Sequence, residues 1–125
     1  MPIAVDNPKC KVLVADDEHV ICDTLALILG ANGFEAMRAY SGEAAVESAR
    51  AERPDVVVVD VILSGMSGME AARQIRALYP GCRTILISGT IASNEMLNEA
   101  RALGGNLEFL TKPFAPDVLL SKLRD

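Results

Sequence analysis

Four short polar clusters in this 125-residue chain combine residue types that can do chemistry together: Asp16-Asp17-Glu18, Asp60 behind four valines, Ser88-Gly89-Thr90, and Lys112 ahead of Pro113. Taken singly, most have a plain structural use. Acidic residues that open a helix complement its dipole or cap it. A hydroxyl after a strand caps or turns the chain, and a lysine before proline is ordinarily a solvated charge. Asp60 is harder to place this way. A carboxylate between Val56-Val57-Val58-Val59 and Val61-Ile62-Leu63 is costly unless it is paired, metal-bound or at an open edge. As a set, the carboxylates of Asp16, Asp17 and Asp60 would repel and raise one another's pKa, which calls for a cation. All-oxygen donors suit Mg²⁺, or Mn²⁺ in its place, and Mg²⁺ readily takes a phosphate oxygen into its shell. Ser88 and Lys112 then supply a donor and a positive charge for the rest of a phosphoryl group.

These residues need elements to bring them together, and the hydrophobic pattern supplies five pairs. Short apolar runs at Val12–Ala15, Glu35–Ala39 (the weakest), Val56–Val59, Thr84–Ile87 and Leu107–Leu110 read as strands. The first, third and fourth are apolar on successive residues, as strands covered on both faces are. Between them, apolar residues recur at helical spacing: Ile21, Leu25, Ile28 and Leu29; Met69, Ala72, Ile75 and Tyr79; Met96, Ala100 and Leu103. Punctuation agrees. Asn32-Gly33 stops the first helix, Ser41 caps the second and Pro54 closes it, and Pro80-Gly81 and Gly104-Gly105 end the next two. Pro116 suits the first turn of a last helix through Val118, Leu119 and Leu123. Strict alternation predicts an α/β fold, a doubly wound (βα)5 sandwich with a five-stranded parallel sheet, for which the flavodoxin-like strand order 2-1-3-4-5 is the expected arrangement. Ligands in such a fold bind beyond the carboxyl ends of the strands, at the switch between the first and third. The polar clusters stand at those ends, after every strand but the second.

Composition narrows the class. At 13.3 kDa, 50% hydrophobic and 23% charged, the chain has the profile of one globular domain rather than a disordered, collagenous or disulfide-stapled one. No apolar run approaches the roughly 18 residues of a membrane span, and the start Met1-Pro2-Ile3-Ala4-Val5-Asp6 lacks signal-peptide character, so a cytoplasmic location is expected. A net charge of −5 argues against nucleic acid as a direct partner. Cys10, Cys22 and Cys82 have no metal spacing and read as reduced, small hydrophobes. His19, the only histidine, reads as a solvated helix residue.

The ordered set resembles the receiver domain of bacterial two-component response regulators, over Val12 to Leu123. It is carried by Asp16-Asp17, Asp60, the loop Gly65-Met66-Ser67-Gly68-Met69-Glu70, Ser88-Gly89 and Lys112-Pro113-Phe114. The resemblance implies that Asp60 accepts a phosphoryl group from a sensor histidine kinase, a phosphotransfer domain or a small acyl-phosphate donor. It implies that Asp17, Asp60 and the backbone carbonyl of Ile62 ligate Mg²⁺, with Asp16 acting mostly through water. Lys112 would contact the phosphoryl oxygens, and Lys112-Pro113 would be cis. Ser88 would be the switch hydroxyl, with Phe109 changing rotamer as it moves. Ile62 and Thr90 would flank the path of hydrolytic water and tune the lifetime of the acyl phosphate. Output to a downstream protein or effector domain would use the face of the last two helices and the fifth strand, with no membrane contact, the chain being a monomer or a phosphorylation-dependent dimer.

Two residues depart from the family pattern: Ser64 stands where proline is common and Ser67 where an acid is common. Three other readings compete. A haloacid-dehalogenase-like phosphatase also places an aspartate nucleophile after a parallel strand, with a second acid two residues on; after Asp60 that position is Ile62, while Asp16 with Glu18 fits the spacing loosely but without the cap domain such an enzyme is expected to carry. A flavin binder needs a Gly- and hydroxyl-rich loop where this chain has three acids. A receiver-shaped interaction module would lack the acceptor, acid pair or lysine, all of which are present. The expectation is therefore a phosphoacceptor switch rather than a turnover enzyme. One receiver domain is expected over 1–125, with 1–9 as an N-terminal extension. It would be either a complete regulator or a receiver from a larger regulator or hybrid kinase.

Overall fold

The computed structural model describes residues 9–89, 93–104 and 107–124. Five strands alternate with five helices: β1 Lys11–Ala15, α1 His19–Ala31, β2 Glu35–Ala39, α2 Gly42–Glu52, β3 Val56–Asp60, α3 Gly68–Leu78, β4 Arg83–Ser88, α4 Asn94–Leu103, β5 Leu107–Thr111 and α5 Pro116–Arg124. All pairings are parallel, in the order β2-β1-β3-β4-β5. The three strands with unbroken apolar runs are thus the interior ones, and the weaker β2 and β5 are edges.

Alternation along the strands sorts the core into two layers. Leu13, Val57, Val59 and Leu86 pack against Ala45, Val46 and Ala49 of α2 and Ala71, Ala72 and Ile75 of α3. Val12, Val14, Val58, Ile85 and Ile87 pack on the other face against Cys22, Leu25 and Leu29 of α1 and Leu119, Leu120 and Leu123 of α5. Each fully buried aliphatic side chain contributes about 2 kcal/mol by leaving water.

Side-chain caps fix where three helices start. Ser41, Ser67 and Ser93 each accept a hydrogen bond from the backbone N–H three residues on. Sequence reasoning had assigned only Ser41. Ser67, where the family commonly carries an acid, keeps an oxygen acceptor at the N-cap of α3 and so preserves the local structure. Asn32, Arg53, Tyr79 and Gly104 end the first four helices, at or next to the expected stops. Gly105 and residues 1–8 of the expected extension lie outside the described residues.

At the opposite end of the sheet from the polar clusters, the Arg83 guanidinium donates to both carboxylate oxygens of Glu108 at 2.5 and 2.9 Å and to the Lys122 carbonyl at 2.9 Å. Lys122 Nζ adds a bond to Glu108 at 3.4 Å. The hydrogen bonds from Arg83 hold the Glu108 carboxyl below its usual pKa. A depressed acid contributes stability above its unfolded pKa, and that contribution is lost as pH falls through the folded value. Glu108→Gln is therefore expected to cost about 1 kcal/mol at neutral pH, given the partial exposure of the pair. The gap to wild type closes as urea unfolding is repeated below pH 4.5.

Candidate functional site

The chain leaves β1 toward β2 and returns on β1's other side through β3, which opens a crevice beyond the ends of these two strands. Asp16 and Asp17 follow β1 directly. Asp60 is not beyond β3, as the apolar run suggested, but its last residue, paired with Ile87 of β4. Ser88 is likewise the last residue of β4, paired with Thr111. The ladder continues past both, with Val61 N–H donating to Ile87 O at 2.9 Å and Lys112 N–H to Ser88 O at 2.8 Å. Asp60 and Ser88 are therefore held by sheet hydrogen bonds rather than by loops.

Lys112 draws the set together. Its Nζ donates to Asp60 Oδ2 at 2.5 Å and to Asp16 Oδ2 at 3.5 Å, and lies 3.9 Å from Glu18 Oε1. The Lys112-Pro113 bond is cis, as expected. Asp16 is 1% exposed and Asp60 6%. Their other oxygens are engaged locally, Asp16 Oδ1 by the Glu18 N–H at 2.9 Å and Asp60 Oδ1 by the Ile62 N–H at 3.0 Å. Asp17 Oδ2 accepts from the Ser64 hydroxyl at 3.1 Å.

Burial raises the Asp16 carboxyl above the usual carboxylate range, against the opposing pull of the Glu18 N–H and Lys112. Burial alone would also lower the Lys112 ammonium, but its hydrogen bond to Asp60 and the charges of Asp60 and Asp16 prevail and raise it. The lysine is thus held charged, and a desolvated carboxylate beside it is short of positive charge. The carboxylates of Asp16, Asp17 and Asp60, with Glu18 at the rim, outnumber the single ammonium of Lys112 and leave an excess of negative charge in the crevice, which a divalent cation would offset. Among the described residues no three Asp, Glu, His or Cys side chains already form a chelate. Mg²⁺ does not require one, since it is commonly held by one or two carboxylates with waters completing its shell. The all-oxygen donor set fits Mg²⁺.

Ile62 is 75% exposed beside Asp60. Phe109 of β5 is half-buried opposite Leu86 and lines a 360 Å³ groove with Leu97, Ala100, Arg101, Gly104 and Leu107. Thr90 lies outside the described residues. His19 is less isolated than expected, its ring stacking on Tyr40 at 3.8 Å between centroids. The three cysteines are free, and burial pushes the Cys82 thiol up to about 11.

Two contacts beside the site were not legible in the sequence. A Cβ on Gly68 would lie 1.9 Å from the Asp60 carbonyl oxygen, so α3 starts directly against the backbone of Asp60. Glu43, at the start of α2, accepts the Met66 N–H on both carboxylate oxygens at 3.3 and 3.2 Å. The signal for Gly68 was visible as part of the Gly65–Glu70 loop motif. Glu43 gave none.

A family model described as "Response regulator receiver domain" matches residues 12–124. The chain is 34% identical over 119 residues to the probable transcriptional regulatory protein TcrX of Mycobacterium tuberculosis, covering 95% of this chain and 50% of that protein. It therefore spans about half the length of this curated relative. Among solved structures it resembles the chemotaxis protein CheY4 of Vibrio cholerae, with a TM-score of 0.86 and 30% identity over 94% of this chain and 98% of that one. It also resembles a Burkholderia pseudomallei response regulator with a phosphorylated aspartic acid, calcium ion and citrate, with a TM-score of 0.80 and 29% identity over 91% and 65% of the two chains. The matched span runs from β1 to α5, and the chain belongs to the response regulator receiver domain family of two-component systems.

Proposed function

We propose that Asp60 is the phosphoacceptor and that the crevice around it catalyses its own phosphorylation. The observation that carries this reading is the convergence on Lys112 of the buried carboxylates Asp60 and Asp16. An Asp60 oxygen attacks phosphorus, the bond to the donor's imidazole nitrogen or acyl oxygen breaks with its electron pair leaving on the donor, and a mixed anhydride forms on Asp60. Lys112 follows the charge onto the phosphoryl oxygens, so the protein's work is positioning and charge stabilisation. Asp17, Asp60 and the Ile62 carbonyl would hold Mg²⁺, with Asp16 acting through water. Bound there, the cation would neutralise charge on the transferring group. The Burkholderia relative, with its phosphorylated aspartic acid and calcium ion, supports this chemistry.

Family membership implies a histidine kinase as donor and a downstream effector. In this reading Ser88 and Phe109 couple the phosphoryl group to the α4–β5–α5 face, where the groove beside Phe109 meets an output partner. Phosphorylation favours the conformer with Ser88 drawn toward Asp60. The chain works in the cytoplasm as one receiver domain, and it turns over no generic phosphate ester. The family assignment supports this over the phosphatase and flavin readings. No helix among the described residues is long and apolar enough to cross a membrane.

Intact-mass measurement after incubation with Mg²⁺ and a small acyl-phosphate donor tests the proposal. One added phosphoryl group is expected, and none in EDTA. An unmodified mass would overturn the phosphoacceptor reading and favour a receiver-shaped interaction module. A second expectation concerns lifetime. The exposed apolar Ile62 cannot hydrogen-bond hydrolytic water, so Ile62→Asn should speed loss of the phosphoryl group by about fivefold, roughly 1 kcal/mol of barrier. An unchanged decay rate would refute this role.

A further inference from the structure

Asp17 differs from the other two carboxylates of the crevice. Asp16 and Asp60 each have a backbone N–H on one oxygen and Lys112 on the other. Asp17, at the open side, has one hydrogen-bond partner among the described residues, the Ser64 hydroxyl, 47 positions away in sequence. We propose that Ser64 is a positioning residue that orients Asp17 to receive the divalent cation. The inference rests on the reading of Asp17 as a cation ligand.

The loop presents this hydroxyl from a fixed platform. The Ser64 carbonyl accepts the Gly42 N–H at 3.4 Å, and the Met66 N–H is gripped by the Glu43 carboxylate. Between these two anchors Gly65 takes φ +71°, with Glu43 Oε1 where its Cβ would project, so a larger residue there would meet both strain and the carboxylate. Ser64 is thereby attached to the start of α2, a helix capped by Ser41 and packed into the core. Its hydroxyl holds Asp17 Oδ2 and leaves Oδ1 for the cation. An aspartate with no partner would have to lose its rotamer freedom on metal binding, whereas the hydrogen bond removes that freedom in advance. Proline, common at this position in the family, has no hydroxyl, so the arrangement belongs to this chain's own sequence.

Partners that orient a metal ligand are typically worth about 10- to 100-fold in affinity, and the exposure of this pair places it at the low end. The test is an Mn²⁺ titration of the full chain, following the resonance of free Mn²⁺, with Mg²⁺ competition and unfolding midpoints in EDTA. Ser64→Ala should weaken Mn²⁺ binding about tenfold. Ser64→Pro should do the same, since no described hydrogen bond uses the Ser64 N–H and the carbonyl bonded to Gly42 is kept. Ser64→Thr should restore affinity to within about twofold, because its hydroxyl is retained. Wild-type affinity in Ser64→Ala or Ser64→Pro would overturn the role of Ser64 while leaving the cation site intact. Equal losses in Ser64→Ala and Ser64→Thr would also overturn it, by showing that the loop and not the hydroxyl matters. A wild-type chain that binds no Mn²⁺ overturns both this role and the reading beneath it.

Discussion

Asp60→Asn should take up no phosphoryl group from a small phosphodonor under conditions that modify the wild-type chain fully. The amide nitrogen is not nucleophilic and the amide oxygen cannot form a stable mixed anhydride, so the loss is complete rather than partial. The substitution is close to isosteric, and the amide oxygen can accept either the Ile62 N–H or the Lys112 ammonium but not both, a loss offset by relief of the repulsion between Asp60 and Asp16. Lys112 would keep Asp16 at 3.5 Å and Glu18 at 3.9 Å as counter-charges. Unfolding free energy in EDTA should therefore change by only about 1 kcal/mol, which separates lost chemistry from lost structure. Intact-mass analysis of both proteins decides the matter. The same mass gain in Asp60→Asn as in wild type would place the acceptor elsewhere.

Gly68→Ala should be the most damaging single methyl group that can be added near the site. Its Cβ would stand 1.9 Å from the Asp60 oxygen, 2.7 Å from the Asp60 carbonyl carbon and 2.8 Å from Val61 Cα. All three are backbone atoms at the end of a central strand, so none can rotate away as a side chain would. Either α3 retreats, losing contacts made by Ala71, Ala72 and Ile75, or the end of β3 shifts and carries Asp60 away from Lys112. Overpacking against backbone costs about 3 kcal/mol, which lowers the melting midpoint by roughly 10 °C in a domain of this size. The phosphorylation rate at a temperature where the variant remains folded should also fall, because small misplacements of a reacting group are costly. A variant with wild-type stability and rate would show that the close approach of α3 is not needed. By contrast, Gly30 and Gly81 meet nothing within 4 Å of an added Cβ, so alanine there provides a control for glycine loss alone.

Much of this was legible in the residues themselves. The runs gave the strands to within one residue at each end, most clearly for the interior β1, β3 and β4, because a strand buried on both faces has little room for polar side chains along its length. The ends of the first four helices and the starts at Ser41 and Pro116 followed from asparagine, serine, proline and glycine, whose preferences act within a few bonds, whereas the caps at Ser67 and Ser93 did not. The single extra residue at the ends of β3, β4 and β5 was not legible, since Asp60, Ser88 and Thr111 are polar yet still bonded into the ladder. Pairing of a terminal rung depends on the neighbouring strand, not on the residue's own polarity.

The sequence by itself determined the kinds of groups that would meet and the edge of the sheet where they would meet. Alternation and right-handed crossovers leave little choice about which strand ends lie together. Only the tertiary structure decided which atoms touch. Lys112 spans 52 positions to Asp60, Ser64 spans 47 to Asp17, and Glu43 spans 23 to Met66. Those contacts come from how α2, α3 and the loop after β3 settle on one another, to tenths of an ångström. A pattern of polarity along the chain carries the period of each element but not the packing distance between elements, and that distance decides whether a serine orients a carboxylate or merely faces water.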